Sequence, residues 1–285
     1  MESLKKQLQY FNELVMFQHS IFSLPFIFIA MIVSSGGFFG WKLLLLGVLA
    51  AVTARNFAMA VNRYVDRDID KENPRTASRP SVDGRLNKDK ILAFIIINAF
   101  IFIATASVIN TLALVLSIPI LVILASYSYF KRFNELAHLI LGVSLGLAPI
   151  AGVVAVEASI PLWSLLLSFG VLFWVAGFDL LYSLQDIDFD KEKGLYSIPS
   201  IYGKKATMFI SQLFHGITII FWLLFAYGAS LGFFGYLAVI FSGVILFKEH
   251  QIVNKDFNKI DKAFFTLNGY LGIMFLILII IDQGF

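Results

Sequence analysis

Two runs of carboxylates carry most of the chemistry that this chain could perform. The first reads Asn62-Arg63-Tyr64-Val65-Asp66-Arg67-Asp68-Ile69-Asp70, and the second Tyr182-Ser183-Leu184-Gln185-Asp186-Ile187-Asp188-Phe189-Asp190. They align without a gap, a polar residue followed by Asp four, six and eight positions later, with the second run 120 positions after the first (62 to 182). On a helix, residues four apart stack along one face. Asn62, Asp66 and Asp70 are therefore expected to form one row and Tyr182, Asp186 and Asp190 another, with Asp68 and Asp188 turned away. Like charges at this spacing repel unless a cation neutralises them. Oxygen donors without His or Cys select a hard ion, and Mg²⁺ is the usual one where phosphate oxygens complete the shell. Two such rows facing each other, Asp66 and Asp70 opposite Asp186 and Asp190, would make a two-metal clamp for a diphosphate. Such an anion needs further positive charge. Lys191, directly after the second run, is the first choice, and Arg75 and Arg79 in Arg75-Thr76-Ala77-Ser78-Arg79-Pro80 are the next.

The elements that position these runs are set by composition. Hydrophobic residues make up 59% of the 285 and charged ones 14%, with a mean hydropathy of +0.82. A soluble domain carries roughly a quarter charged residues, so this chain belongs to the membrane class. With no cysteine, disulfides, thiolate catalysis and cysteine metal sites are excluded. His19, His138, His215 and His250 share no ligand spacing and read as interfacial or packed side chains. Apolar runs between polar breaks predict nine spans near 20–37, 42–62, 89–109, 111–130, 136–156, 160–183, 205–229, 231–248 and 263–281. The first reads as a retained helix, since no small-residue cleavage site follows it. With the N-terminus in the cytoplasm, the tail and the segments 63–90, 131–135, 184–205 and 248–262 hold 20 of the 22 Lys and Arg. That asymmetry is what the positive-inside rule requires. Both acidic runs then open long cytoplasmic loops, 63–88 and 184–204, at the ends of the second and sixth spans. The expected architecture is an all-α bundle of about nine transmembrane helices, one domain over residues 1–285 with an internal repeat marked by 62–70 and 182–190.

These residues resemble a known family. Asn62-x-x-x-Asp66-x-x-x-Asp70, continued by the Arg75–Pro80 run, is similar to the first motif of the UbiA superfamily of intramembrane prenyltransferases. Tyr182-x-x-x-Asp186-x-x-x-Asp190 resembles its second motif, and Tyr202-Gly203 fits the end of that loop. Within the superfamily the likeness is to 4-hydroxybenzoate polyprenyltransferases, carried by Asp66–Asp70, by Tyr129-Phe130-Lys131-Arg132-Phe133 and by Leu141-Gly142-Val143-Ser144-Leu145-Gly146. The resemblance implies Mg²⁺-dependent transfer of a polyprenyl group from an allylic polyprenyl diphosphate to an electron-rich ring carbon of an aromatic acid, in quinone biosynthesis. It implies that Asn62 assists the first row by hydrogen bonding. An acceptor carboxylate would pair with Arg132, whose guanidinium offers bidentate recognition, beside Lys131. The expected partners are the two substrates and the lipid bilayer, with no nucleic acid, and the expected location is the inner (cell) membrane. Arg63 departs from the pattern, standing where the family often has Asp, and this loosens the link to one acceptor.

Two other readings compete. A transporter of a phosphorylated or metal-bound solute would place its polar site near the bilayer midplane on broken helices, whereas these runs sit at helix ends. Arg55 and Asp179 are the charges within spans, and Asp179 is placed to partner a base or hydroxyl. A CDP-alcohol phosphotransferase would show a single Gly/Ala-rich Asp run, and this chain has two matched ones.

Overall fold

The computed structural model describes residues 2–16, 24–256, 260 and 263–284, and among these the regular secondary structure is all helix, without strands. Two compact units divide the chain, one of residues 1–20 and 48–129, the other of 21–47 and 130–285.

The first unit holds α1 (Glu2–Val15), most of α3 (Trp41–Val65), the short α4 (Arg67–Glu72), α5 (Lys88–Ile109) and nearly all of α6 (Thr111–Phe130). Its core gathers Leu14, Phe57, Ala60, Leu86, Ile91, Phe102 and Leu124. The expected tight junction after α5 is present. Asn110 leaves the helix with an extended backbone (φ −167°, ψ 173°), and its Oδ1 accepts the Ala113 N–H at 2.8 Å, so one side chain caps the next helix. Arg85 ties the loop to α1, donating to Glu13 Oε1 at 2.8 Å and to Asp83 Oδ2 at 2.6 Å. The bond from Glu13 stabilises the charged guanidinium and holds Arg85 above its ordinary value.

The second unit holds α2 (Leu24–Ser35), α7 (Ala137–Glu157), α8 (Leu162–Ser183), α9 (Ile187–Lys193), α10 (Ile198–Gly228), α11 (Phe233–Lys255) and α12 (Asn268–Asp282), the last preceded by a π-helical turn at Ala263–Leu267. Helix α8 packs between α7 and α10, and α2 lies on α7. Phe26, Trp174, Trp222 and Phe275 meet at ring-centroid separations of 5.1 to 6.0 Å. Trp174 Nε1–H donates to Asn268 Oδ1, and Asn268 Nδ2–H donates to Glu249 Oε1, each at 2.7 Å. This satisfies polar groups that would otherwise be costly to bury. Helix α11 begins without a capping side chain of its own. Asp282, at the end of α12, accepts from the N–H groups of Gly232 and Gly235 at 2.8 and 2.9 Å.

Eight described helices are long and apolar enough to cross a membrane, making this a multi-pass membrane protein. The ninth expected span, 20–37, is described only from Leu24, as a 12-residue apolar helix, and its first residues lie outside the described ones. Most boundaries agree with the sequence expectation within a few residues. Helices α10 and α11 are the exceptions, α10 starting at Ile198 where 205 is expected and α11 running to Lys255 where 248 is expected. The early start of α10 follows from a reciprocal Ser197–Ser200 capping box and Pro199 in the first turn, with a break at Gly203 (φ +76°).

Close packing of α7 on α8 rests on Gly142 and Gly146. A Cβ at Gly142 would collide with the Leu172 carbonyl oxygen, and one at Gly146 would meet that of Ser168 at 3.0 Å. This is the small-xxx-small seam that lets membrane helices approach backbone to backbone. Gly142→Val is expected to lower stability by about 1–3 kcal/mol through overpacking. At Gly216 an added Cβ meets nothing within 4 Å, and Gly216→Ala serves as the control. Equal thermal midpoints in detergent for the two variants would refute the seam.

Candidate active site

Each unit carries one acidic run, and in neither does the run lie on one continuous helix, as the spacing predicted. In the first, α3 ends at Val65 and Asp66 adopts φ −86°, ψ 7° before α4 begins. The row survives because Asp66 N–H still reaches Asn62 O (2.9 Å) and Asp70 N–H reaches Asp66 O (2.7 Å). Asp66 and Asp70 are buried, 2% and 4% exposed, while Asp68 faces out. Helix α4 stops at Glu72 because Pro74 forces Asn73 into extended backbone (φ −89°, ψ 118°). Asn73 Oδ1 then accepts the Arg75 N–H at 2.9 Å, and Thr76 Oγ1–H donates to Asp70 O at 2.9 Å. This turn folds the chain back and delivers Arg79, whose Nη1 lies 2.7 and 2.8 Å from the two Asp70 oxygens. Arg75 remains exposed.

Asn62 is fixed from three sides. Its Nδ2–H donates to Asp66 Oδ2 (2.8 Å) and Ser128 Oγ (3.2 Å), and its Oδ1 accepts from Arg63 Nη1 (2.8 Å). Arg63 is 6% exposed, so the residue that departs from the family pattern is a buried part of this cluster. Ser128 carries no signal in the sequence. Arg63 was visible only as a departure.

In the second unit, α8 ends at Ser183, a 3₁₀ turn covers Leu184–Asp186, and α9 follows. Helix α9 closes at Gly194 (φ +64°), with Leu195 N–H on Asp190 O at 2.9 Å, a left-handed closure that glycine adopts at little cost. The chain turns into Ser197, whose hydroxyl donates to Asp190 Oδ2 at 2.8 Å while accepting the Ser200 N–H at 3.2 Å. One N-cap residue thus starts α10 and orients a carboxylate. A serine just before Ile-Pro is a legible helix start, but its bond to Asp190 is not. Tyr196 N–H donates to Lys131 O at 2.9 Å, bringing the Lys131-Arg132 turn to the second run. Burial raises the Asp190 carboxyl above its ordinary value, and the Ser197 hydroxyl bond and the nearby Lys131 oppose that rise. His138 Nδ1 lies 2.7 Å from Asp179 Oδ2, giving Asp179 the partner expected of it. Tyr182 packs its ring on Phe264, centroids 4.4 Å apart. Lys191 is exposed on α9.

Among the described residues no group of three or more carboxylates or histidines is gathered at metal-binding separation. The donor chemistry nonetheless fits a hard divalent cation. Asp66 and Asp70 are buried oxygen donors on successive turns, and Arg79 already matches Asp70 with positive charge.

The UbiA prenyltransferase family model matches residues 23–279. A 4-hydroxybenzoate octaprenyltransferase from Burkholderia ambifaria is 29% identical over 248 residues, covering 85% of this chain and 83% of that one. The solved apo structure of a UbiA homologue from Aeropyrum pernix is 33% identical, with a TM-score of 0.83 over 93% of this chain and 98% of that one. A UbiA homologue from Archaeoglobus fulgidus, solved with GPP and Mg²⁺, shares the fold at 18% identity and a TM-score of 0.75, covering 95% of this chain and 99% of that one. With the family model matched over nearly the whole length and both acidic motifs in place, the chain belongs to the UbiA prenyltransferase family.

Proposed function

We propose that this enzyme transfers a polyprenyl group from an allylic polyprenyl diphosphate to a carboxylated aromatic ring, 4-hydroxybenzoate or a similar quinone precursor, with Mg²⁺ as cofactor. The observation that carries this reading is the pair of gapless acidic runs, each at the end of an apolar helix and each with its last Asp oriented by a specific partner, Arg79 on Asp70 and Ser197 on Asp190. Asp66 and Asp70 are buried, and a buried carboxylate is costly unless it is paired or holds a cation.

Asp66, Asp70, Asp186 and Asp190 would hold Mg²⁺, which when bound supplies Lewis-acid stabilisation of the diphosphate leaving group. Asn62 orients Asp66 through its 2.8 Å bond. Arg79 aims Asp70 through its two bonds to that carboxylate, and with Lys191 and Arg75 supplies cations for a diphosphate. Arg132, on the turn beside the second run, is the partner for the acceptor carboxylate, with Lys131 next to it. The acceptor identity follows the names of the relatives, such as the Burkholderia ambifaria enzyme.

Purified protein with Mg²⁺, a labelled polyprenyl diphosphate and 4-hydroxybenzoate is expected to yield a prenylated acid, and EDTA is expected to stop turnover without lowering the thermal midpoint. Full turnover in EDTA would remove the metal from the mechanism. Product formed only from non-carboxylated rings would remove the acceptor class.

We further place both runs on the cytoplasmic face of the cell membrane, from the skew of 20 of 22 cations. Impermeant labels at cysteines introduced for Arg85 and Lys255 should react from the same side, and reaction from opposite sides would invert part of the topology.

A further inference from the structure

We infer that the second unit carries a separate binding site, between α10 and α11, for a neutral phenol bearing an apolar chain. A cavity of about 480 Å³ lies there, lined by Gln212, His215 and Gly216 on α10 and by Gly243, Phe247 and His250 on α11 among others. Its volume falls within the range of small-molecule sites. Polar residues, Gln212, His250, Gln251 and Asn254, line one end, while Ile219, Gly243 and Leu246 line the other. His250 lies five residues before Lys255, about 8 Å along the helix at 1.5 Å per residue, near the charged end of α11. The polar end therefore sits at headgroup depth and the apolar end runs toward the hydrocarbon. Phe247, 64% exposed, belongs to the apolar surface that faces lipid in a membrane helix.

The hydrogen-bond logic of the two histidines defines the head of the ligand. His215 is 3% exposed and His250 8%. His215 Nε2 lies 3.3 Å from Trp174 O, and a carbonyl only accepts, so the proton is on Nε2. His215 Nδ1 is then an acceptor, and its 2.9 Å partner His250 Nε2 must donate. In neutral His250 this leaves Nδ1 bare. That atom is buried and has no hydrogen-bond partner among the described residues. A buried acceptor left unmade is costly, and a turn of the His250 ring toward the cavity it lines would let a ligand O–H or N–H donor reach it. No Lys or Arg is among the described residues lining the cavity, so a phosphate or carboxylate head finds no countercharge among them. Gly216 and Gly243 bare the walls, nothing standing within 4 Å of an added Cβ at Gly216, and Phe247 offers an aromatic face. A hydroxylated ring with a hydrocarbon tail meets each demand. This site is distinct from the one proposed for transfer, whose acceptor is charged.

The test uses the full chain in phosphatidylcholine nanodiscs and a diazirine-tagged geranylphenol, with labelled residues read by peptide mass spectrometry. Labelling is expected on α10 and α11 around Phe247. Unlabelled geranylphenol should compete about 10-fold better than its methyl ether, which keeps ring and tail but lacks the O–H donor. Gly216→Leu, filling the cavity, should abolish labelling, and His250→Phe should make phenol and ether equal competitors. Equal competition in the unaltered chain, undiminished labelling of Gly216→Leu, or displacement by geranyl-4-hydroxybenzoate or phosphatidylglycerol as strong as by the phenol would each overturn the site. The phenol and ether comparison needs no variant to fold. None of these readings needs turnover, so a failure of the proposed transfer reaction would leave them standing.

Discussion

Asp66→Asn and Asp190→Asn, made singly, are expected to lower kcat by about 10²–10³-fold while the protein stays folded. The two positions are chosen because asparagine can keep the local structure at both. In Asp66→Asn the new carboxamide oxygen still accepts from Asn62 Nδ2, which lies 2.8 Å from Asp66 Oδ2 in the unaltered chain. In Asp190→Asn the carboxamide oxygen likewise still accepts from Ser197 Oγ. What is lost is a full negative charge where a divalent cation is expected, and oxygen ligands to hard ions depend on that charge. Asp70→Asn is a poorer test because it strands Arg79. Removing one partner of a buried ion pair costs about 3–5 kcal/mol, so lost activity there could follow from unfolding. The check is kcat at saturating Mg²⁺ alongside the thermal midpoint of each variant. Unchanged turnover in both variants would dismiss the acidic runs as the site of catalysis.

Arg132→Ala is expected to reduce kcat/KM for the aromatic acid by roughly 10- to 150-fold, since a hydrogen bond to a charged group contributes about 1.5–3 kcal/mol. The donor KM should stay within about twofold, because the diphosphate is assigned to Lys191, Arg75 and Arg79. Arg132→Lys should recover only part of the loss, as lysine keeps the charge without the planar fork. The position of the residue sharpens the test. The Lys131-Arg132 turn is held to the second run through the Tyr196 N–H on Lys131 O, a main-chain bond that a side-chain change leaves in place. A rise in donor KM instead would make Arg132 a diphosphate ligand and remove the residue-level case for a carboxylated acceptor.

The helices were legible because each long apolar run has only one way to satisfy its backbone in lipid, and the predicted 111–130 matches α6 residue for residue. The two carboxylate rows were legible too, as far as period alone can carry. Period could not show that both helices break inside the motif, at Asp66 and at Leu184–Asp186, because no proline or glycine marks either break. The partners of the carboxylates were partly visible. Arg79 was singled out as a cation but not as the counterion of Asp70, since that pairing depends on the turn forced by Pro74. Ser128 and Ser197 escaped because a serine reads alike whether it faces lipid, a helix end or a carboxylate. His215 and His250, 35 positions apart, read as unrelated packed residues, and only the folded α10–α11 pair makes them a tautomer chain.

The glycine seam of α7 has a consequence for how the protein is made. Four residues, 158–161, separate α7 from α8, and Gly142 and Gly146 leave a bare backbone stripe on α7 that the α8 carbonyls cover. During synthesis α8 is the next helix to emerge, and α10, which covers the other side of α8, is delivered later. From α7 onward the order of translation thus matches the order of packing. A hairpin of α7 and α8 is therefore expected to hold its backbone-to-backbone contact once both helices are in the bilayer, before α10 is delivered.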